Sequence, residues 1–300
     1  MWPAAIDTVE QLDELQSRPG PAAIDSLRRT GGDIIVLGAA GKMGPALIRM
    51  LQRASAVAGS ARRIIAVSRF SNSSTRAEFE SLGVGTIAGD LADPGFVAGL
   101  PDAANVFFLG GMKFGATGNE PLTWGMNAWM PALVADRYAG RRIVAFSTGN
   151  VYGLAPVAGG GSKETDPLSP VGEYAMSCVA RERLFQYFCE QHGTPTTLIR
   201  LNYAVEMRYG VLVDLAQRIV RDEPVDLAMG YVNVIWQGDA CNAVIASLAD
   251  CTVPASILNV AGLEILRIRD VALRLGDLLQ RTPQFTGTES FDALLNNAER

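Results

Sequence analysis

Histidine and lysine are scarce in this chain of 300 residues, which has one histidine, His192, and three lysines, Lys42, Lys113 and Lys163. Its four cysteines include no C-x-x-C pair. Metal sites and disulfide frameworks need clustered cysteine, histidine or carboxylate groups. The sequence therefore predicts neither feature. The few lysines also limit where a catalytic ammonium group can come from.

A basic surface and long apolar segments are missing as well. The formal net charge is −5 and the isoelectric point is about 5.1, which argues against a surface for nucleic acid or anionic lipid. No apolar run approaches the roughly 20 residues that span a bilayer. The content of 48% hydrophobic and 19% charged residues is typical of a globular protein. We expect a cytoplasmic protein with no nucleic-acid or membrane partner.

Apolar strand-like runs alternate with helical patterns along most of the chain. Before them, Thr8 is predicted to cap a helix that ends at Arg18, with Gln11 completing a capping box, and a second helix lies near Ala23–Arg29. Near-continuous apolar strands separated by helices indicate a parallel sheet covered on both faces. The other predicted elements are strands Asp33–Leu37, Arg63–Ser68, Gly85–Ala88, Asn105–Leu109, Arg142–Ser147 and Thr196–Leu201 and helices Gly44–Ala54 and Ser74–Leu82.

A glycine-rich loop joins the first predicted strand to the helix after it, with the sequence GAAGKMG at residues 38–44. A pyrophosphate needs bare backbone N–H groups and a helix N-terminus. Gly38 would permit the tight turn, Gly41 the close approach, and Gly44 the packing of helix on strand. We predict that these glycines, with Lys42 and Met43, bind a dinucleotide. A plain strand-to-helix turn is the alternative.

The end of the second strand bears on which nicotinamide cofactor binds. NAD-specific proteins usually carry an acidic residue there for the ribose 2′-hydroxyl, but this chain has Val67-Ser68-Arg69. No carboxylate repels a 2′-phosphate, and an arginine can pair with one. We predict that Ser68 and Arg69 contact NAD(P), with NADP favoured. A solvated arginine at a strand end is the alternative.

From about residue 33 to about residue 280, the chain resembles the extended short-chain dehydrogenase/reductase family, the NAD(P)-dependent epimerase/dehydratase group. Besides the glycine loop, the matching segments are Asp90-Leu91, Val106–Lys113, Phe146–Gly153 (FSTGNVYG), Arg200-Leu201-Asn202, Asn127, Asn233–Asp239 and Asn259–Gly262. The resemblance implies that Asp90, Leu91 and Gly110 contact the cofactor.

Composition, alternation and resemblance together predict an α/β protein with a Rossmann-type doubly wound parallel sheet. The predicted organisation is an N-terminal helical extension at 1–31 and an NAD(P)-binding domain at 32–201. A small substrate-binding region at 202–300 is interleaved with the last Rossmann elements.

The resemblance also implies the chemistry. In this family a strand hydroxyl and a helix tyrosine share the substrate's reacting oxygen, and a lysine four residues after the tyrosine lowers its pKa and holds the nicotinamide ribose. Here Thr148 matches the hydroxyl and Tyr174 the tyrosine, but Cys178 stands at the lysine position. A thiol supplies no positive charge, so Cys178 keeps only a predicted place in the cofactor site.

Another cation is therefore needed if Tyr174 is to work at neutral pH, because an unperturbed tyrosine has a pKa near ~10. Lys113 is the best candidate, since a family lysine at the matching position reaches the cofactor phosphates and Lys113 follows the carboxyl end of a strand. Lys163, Lys42 and Arg181, one helical step beyond Cys178, are the other cations considered.

Substrate contacts are predicted at Asn150, Asn202, Arg208 and Trp236. Family dehydratases carry an Asp-Glu pair where this chain has Gly149-Asn150, which disfavours dehydration. The stretch between Asn202 and Asn233 is shorter than in nucleotide-sugar epimerases, which suggests a smaller ligand.

The sequence predicts an NAD(P)-dependent oxidoreductase or epimerase that acts on a secondary alcohol of a sugar, sugar acid or related polyol. Because the family often dimerises through the helix before the active-site strand and the active-site helix, a homodimer is expected. The alternatives are a catalytically silent NADP-binding sensor on the same fold and a nucleotide-sugar epimerase.

Overall fold

The computed structural model describes residues 3–113 and 115–299. The outermost residues of the predicted segments 1–31 and 202–300 lie outside the described residues, as does position 114. The helices are α1 (Val9–Gln16), α2 (Pro21–Arg29), α3 (Gly44–Ala58), α4 (Ser73–Ser81), α5 (Pro94–Ala98), α6 (Glu120–Trp124), α7 (Met130–Arg137), α8 (Gly172–His192), α9 (Val211–Val220), α10 (Gln237–Ala246) and α11 (Ile268–Leu279).

The strands alternate with these helices along the chain. They are β1 (Ile34–Leu37), β2 (Ile64–Ser68), β3 (Gly85–Ala88), β4 (Asn105–Phe108), β5 (Arg142–Thr148), β6 (Ala155–Pro156), β7 (Thr196–Leu201), β8 (Ala204–Val205), β9 (Val225–Asp226), β10 (Tyr231–Val232), β11 (Ile235–Trp236), β12 (Ser256–Val260), β13 (Leu266–Arg267), β14 (Phe285–Thr286) and β15 (Asp292–Ala293).

Seven of these strands form the central sheet, in the order β12-β7-β5-β4-β1-β2-β3. Strand β1 pairs in parallel with both β2 and β4, so the order reverses beside it. The pairs β2–β3 and β4–β5 are also parallel. This confirms the predicted Rossmann-type doubly wound fold, in which ligands bind where the strand order reverses.

The central strands are continuous apolar runs because both faces of the sheet are covered. All four residues of β1 are buried, and so are all four residues of β4. Side chains of β1, β2, β4 and β5 share one apolar core cluster with α7 and α8. The sheet therefore gives a fixed base for the loops that follow its strands.

Most predicted elements agree with the structure to within a few residues, and the differences have local causes. Helix α3 continues to Ala58, where Gly59 ends it in the left-handed region with φ +68°. Thr8 caps α1 as predicted, with its hydroxyl accepting from the Gln11 N–H. The capping box is shifted by one residue, because the Gln11 side chain accepts from the Asp7 N–H rather than from that of Thr8.

The chain forms two compact units. The first comprises Met1–Ser147, Val171–Ile199 and Cys241–Ile257, and the second comprises Thr148–Pro170, Arg200–Ala240 and Leu258–Arg300. Among the described residues, no helix is long and apolar enough to cross a membrane. Within 3–113 and 115–299, no group of three or more histidine, cysteine or carboxylate residues is arranged to hold a metal ion.

Candidate functional site

The glycine loop of the first unit follows β1 and leads into α3. Gly38 has φ +84°, and a Cβ there would lie 2.7 Å from the Gly110 nitrogen. A Cβ on Gly44 would overlap the carbonyl oxygen of Ala39, so this glycine is required by the loop's own backbone. At Gly41, a Cβ would meet only the Gly38 oxygen, at 3.4 Å. The protein's own packing therefore explains Gly38 and Gly44 but does not require a glycine at position 41.

A cavity of about 340 Å³ lies beside this loop in the first unit. Seven predicted cofactor residues line it: Gly38, Gly41, Ser68, Arg69, Asp90, Leu91 and Gly110. The bare backbone at Gly41 and the N-terminus of α3 fit the pyrophosphate of a dinucleotide. The residues present thus suit the cofactor that the glycine loop predicts.

Sequence reasoning missed part of this lining. Ser71, Asn72 and Thr75 follow β2, and Met126 and Met130 come from the region of α7. The run of hydroxyl and amide residues after Arg69 could have predicted further lining residues, because such side chains donate to phosphate oxygens. By contrast, the predicted residues Lys42, Met43, Gly44, Lys113, Tyr174 and Cys178 are not among the lining residues.

The end of β2 exposes Arg69 beside this cavity. The Asn72 side chain caps α4 by accepting from the backbone N–H of Ser74 at 3.0 Å. Residues 68–77 contain no aspartate or glutamate. The carboxylate of Asp90, on the far part of the lining, accepts from the backbone N–H of Ala92.

The loop that follows β4 is held by a buried asparagine. Asn127, which is fully buried, accepts from the backbone N–H of Met112 at 2.8 Å and donates to the Met112 carbonyl at 2.9 Å. It also donates to the Ser177 hydroxyl of α8. Asn127 lies in a π-helical turn, Gly125–Trp129, between α6 and α7. Such turns are rare and often occur at functional sites.

Lys113, the next residue along this loop, lies near the tyrosine of α8. Its Nζ atom is 5.9 Å from the centroid of the Tyr174 ring. Lys113 is exposed at the surface, yet nearby protein atoms remove enough of its hydration that desolvation lowers the pKa of its ammonium group. Attraction to Cys178 opposes this lowering, and repulsion from Lys42 adds to it. The structure thus brings together four groups that the sequence analysis singled out, namely Lys113, Tyr174, Cys178 and Lys42.

Cys178 itself is fully buried. Burial raises the pKa of its thiol, and the Arg181 charge, a hydrogen bond from Tyr174 and the Lys113 charge oppose that rise. A buried neutral thiol is a poor nucleophile. Position 178 therefore offers a buried thiol beside Tyr174 and no positive charge.

In the second unit, Thr148 ends β5 and is buried. Its hydroxyl donates to the Asn150 side-chain oxygen at 2.9 Å and accepts from the Asn150 N–H at 3.2 Å. A Cβ on Gly149 would lie 2.5 Å from the side-chain oxygen of Asn296. An aspartate at this position would require the Asn296 side chain to move.

The remaining predicted substrate residues also belong to the second unit. Asn202 is buried and donates to Asn233 at 3.2 Å and to the Leu294 carbonyl at 3.3 Å, which is a structural use of its amide. Arg208 pairs with both carboxylate oxygens of Glu206, each at 3.0 Å. Trp236 lines a cavity of about 620 Å³ whose other lining residues are largely apolar: Val205, Glu206, Met207, Leu212, Val213, Ala216, Gln217, Val220, Arg221 and Leu275.

Comparison with known proteins gives the same fold and one family. Among solved structures, MoeE5 in complex with UDP-glucose and NAD is 21% identical, with 89% of each chain covered and a TM-score of 0.72. DesIV from Streptomyces venezuelae, a dTDP-glucose 4,6-dehydratase, is 17% identical over 89% of this chain and 88% of its own, with a TM-score of 0.76. A UDP-galactose 4-epimerase is 22% identical over the same shares, with a TM-score of 0.70.

No curated protein matches the chain. The model of the NAD dependent epimerase/dehydratase family matches residues 34–205, from the first strand to the segment after β7. That stretch carries the glycine loop, the β4 loop with Lys113, and the helix with Tyr174. The chain therefore belongs to the NAD dependent epimerase/dehydratase family.

Proposed function

We propose that this chain is an NAD(P)-dependent oxidoreductase or epimerase that acts on a secondary alcohol of a sugar, a sugar acid or a related polyol. The observation that carries the proposal is the Lys113 ammonium group 5.9 Å from the Tyr174 ring centre, in the unit that holds the glycine-lined cavity. A nearby cation favours the phenolate. Tyr174 then accepts the alcohol proton when the substrate is oxidised and returns it in the reverse direction.

Thr148 and Asn150 are the proposed substrate groups of the second unit. The Thr148 hydroxyl holds the reacting oxygen, and its hydrogen bond to Asn150 fixes the amide that binds a neighbouring hydroxyl. A nicotinamide, when bound, supplies the hydride acceptor or donor. Dehydration is not proposed, because Gly149 and Asn150 carry no acid–base pair.

NADP is the proposed cofactor, with Arg69 and Ser68 beside the ribose 2′-phosphate. Arg69→Ala is expected to weaken NADPH binding by roughly 10-fold or more, as the loss of a charge-assisted contact implies, and to leave NADH binding almost unchanged. Fluorescence titration with both nucleotides, after a check for co-purified nucleotide, measures this. Arg76→Ala is the control, since Arg76 pairs with Glu80 and does not line the cavity. Equal losses for NADPH and NADH, or tighter NADH binding by the wild type, would count against NADP.

The second-unit cavity favours a small ligand over a nucleotide sugar. The solved structure of MoeE5 contains UDP-glucose, a nucleotide sugar whose diphosphate needs cations and N–H donors. Here the lining is largely apolar, and Arg208 is bound to Glu206. Trp236 offers a flat apolar face of the kind that packs on the C–H face of a sugar ring or polyol.

Two other functions have specific support. The buried thiol at position 178 favours a silent NADP sensor, which binds cofactor but turns over no alcohol. The nucleotide-sugar epimerases among the similar structures favour an epimerase, which retains NAD tightly through purification. An absorbance screen of sugars, sugar acids and nucleotide sugars, with analysis of bound nucleotide, separates the three. Cofactor binding without turnover of any alcohol would overturn the proposed enzyme.

A cytoplasmic homodimer is the proposed assembly. Helices α6 and α8 pack together in the first unit and expose large apolar side chains, namely Leu122, Trp124, Met176 and Tyr187. Met176→Asp combined with Tyr187→Asp is expected to convert a dimer to a monomer, because charges on a paired apolar face lose their hydration on assembly. Sedimentation velocity of the wild type and the variant measures this, with Val57→Asp on α3 as a control at another exposed apolar position. A monomeric wild type would contradict the assembly.

A further inference from the structure

A second cation lies on the helix of the same tyrosine, near Cys178, and it is buried. Arg181 of α8 has only 6% of its surface exposed. Its guanidinium donates to the Asn127 side-chain oxygen at 2.5 Å and to the Phe146 carbonyl at 2.9 Å. The charge also lies 5.8 Å from the centre of the Phe108 ring. A buried arginine needs good hydrogen-bond partners to offset its lost hydration, and these acceptors fix the guanidinium in one place.

We propose that Arg181 is a positioning residue that replaces the missing helix lysine in two respects: it fixes the loop that presents Lys113, and it supplies a permanent positive charge beside the Tyr174–Cys178 pair. This inference rests on the proposed function, in which Tyr174 moves the substrate proton. Arg181 acts through other residues and is not itself placed against substrate.

The first role follows a chain of contacts from Arg181 to Lys113. Arg181 holds the oxygen of Asn127, and that amide grips the N–H and the carbonyl of Met112, the residue before Lys113. A Cβ on Gly111 would overlap the guanidinium, so the loop approaches Arg181 as closely as a backbone can. The position of Lys113 is thereby tied to α8, the helix that carries Tyr174.

The second role is electrostatic and depends on where Arg181 lies along α8. It comes three residues after Cys178 and seven after Tyr174, which places it on the same side of the helix one and two turns away. The Arg181 charge is the strongest of the effects that oppose the rise in the pKa of the Cys178 thiol caused by burial, and Tyr174 hydrogen-bonds to that thiol. A guanidinium stays charged at every working pH, whereas the ammonium group of Lys113 has a lowered pKa.

Other charged groups near this pair are accounted for. Glu182 is buried on α8, accepts from the Ser147 hydroxyl at 2.6 Å, and acts on Cys178 in the opposite sense to Arg181. Glu173 of α8 accepts from the Trp124 indole. Lys42 of the glycine loop acts on Lys113. A hydrogen-bonding role alone would need no charge at position 181, because a neutral amide also donates to Asn127.

Two substitutions separate the charge from the hydrogen bonds. Arg181→Gln removes the charge and keeps an amide donor, and Arg181→Lys keeps the charge and loses the forked donor. In Arg181→Gln we expect the titration midpoint of Tyr174 to rise by about one pH unit. It is followed by phenolate absorbance against a Tyr174→Phe reference. Arg181→Lys should stay near the wild-type midpoint while its KM for NADPH rises more than its kcat falls.

Arg183→Gln, two residues further along α8 and exposed, is the matched control and should leave both readouts unchanged. A wild-type midpoint in Arg181→Gln, together with a lower Tm, would reduce Arg181 to a packing role and overturn the inference. If Arg181→Gln does not fold, Asn127→Leu keeps the charge and cuts the link to Met112. It should raise the KM for NADPH and move the midpoint by less than the shift expected for Arg181→Gln, because only the placement of Lys113 is disturbed. A larger movement than that expected for Arg181→Gln would contradict the proposal.

The phenol titration needs neither substrate nor turnover. A wild type that oxidises no alcohol would therefore remove the proposed function while the Arg181 comparison still gives its own answer.

Discussion

Replacing Lys113 with methionine is expected to lower kcat by roughly 10²-fold or more, because Tyr174, a general acid–base group of a kind that typically contributes 10²- to 10⁴-fold, loses the ammonium group that favours its phenolate. The physical reason is that Lys113 is the ammonium group beside the Tyr174 ring, at 5.9 Å from its centre, while position 178 offers only a buried thiol. Stopped-flow or steady-state turnover with NADPH measures the loss. Because Lys113 is exposed, its removal should leave the Tm nearly unchanged.

Lys163→Met is the matched control for this experiment. Lys163 is exposed in the second unit, and its backbone N–H, rather than its ammonium group, is bound to Asp166. We expect the Lys163→Met variant to turn over substrate at the wild-type rate. A Lys113→Met enzyme with wild-type turnover and NADPH affinity would show that this ammonium group has no part in the reaction.

Placing a lysine on the helix gives a sharper form of the same test. In the Lys113→Met background, Cys178→Lys places an ammonium group four residues after Tyr174, on the same helix face. We expect it to recover part of the lost kcat. In the wild-type background the same change should instead lower activity, since it buries a third cation near Arg181 and Lys113. No recovery of kcat in the Lys113→Met background would contradict a dependence of Tyr174 on a nearby cation.

The pH dependence of alcohol oxidation should show the titration of Lys113. Activity rises with pH as Tyr174 becomes a phenolate and falls as Lys113 loses its proton. Desolvation lowers the pKa of Lys113, so the fall should begin below the ~10.4 of an ordinary lysine. The falling limb should disappear in Lys113→Met. A profile unchanged by that substitution would assign the limb to another group.

Adding a methyl group at Gly41 or at Gly44 is expected to separate cofactor binding from folding. Gly41→Ala should weaken NADPH binding by at least ~100-fold, about 2.7 kcal/mol, with a Tm close to that of the wild type. Its Cβ meets only the Gly38 oxygen, at ordinary contact distance, but it stands where a pyrophosphate needs bare backbone. Fluorescence titration and thermal melting measure the two effects.

Gly44→Ala is the paired variant, in which we expect the main loss in stability rather than in cofactor binding. Its Cβ overlaps the Ala39 carbonyl oxygen, so the loop or the start of α3 must shift. We expect a loss of about 1–3 kcal/mol in the free energy of unfolding, the usual cost of overpacking. Unchanged NADPH affinity in Gly41→Ala would mean that the glycine loop is an ordinary turn, and the enzymatic proposal would lose its cofactor site.

The sequence by itself determined the architecture of the first unit. Strand-like runs between helical patterns located β3 and β7 to the residue, and β1 is apolar throughout because both faces of the sheet are covered there. The glycine spacing located the loop at the start of α3, because Gly38 and Gly44 stand where a side chain would overlap the backbone. Local rules of this kind depend only on neighbours along the chain.

The tertiary structure alone decided which side chains meet. Lys113 lies beside Tyr174, and Arg181 holds Asn127, across separations of more than fifty residues. Asn202, a predicted substrate residue, proved to be bound inside the second unit to Asn233 and Leu294. These contacts follow from the order of strands in the sheet and the rotation of each helix upon it. No spacing in the sequence records either quantity, because burial depends on what packs against a residue from elsewhere in the chain.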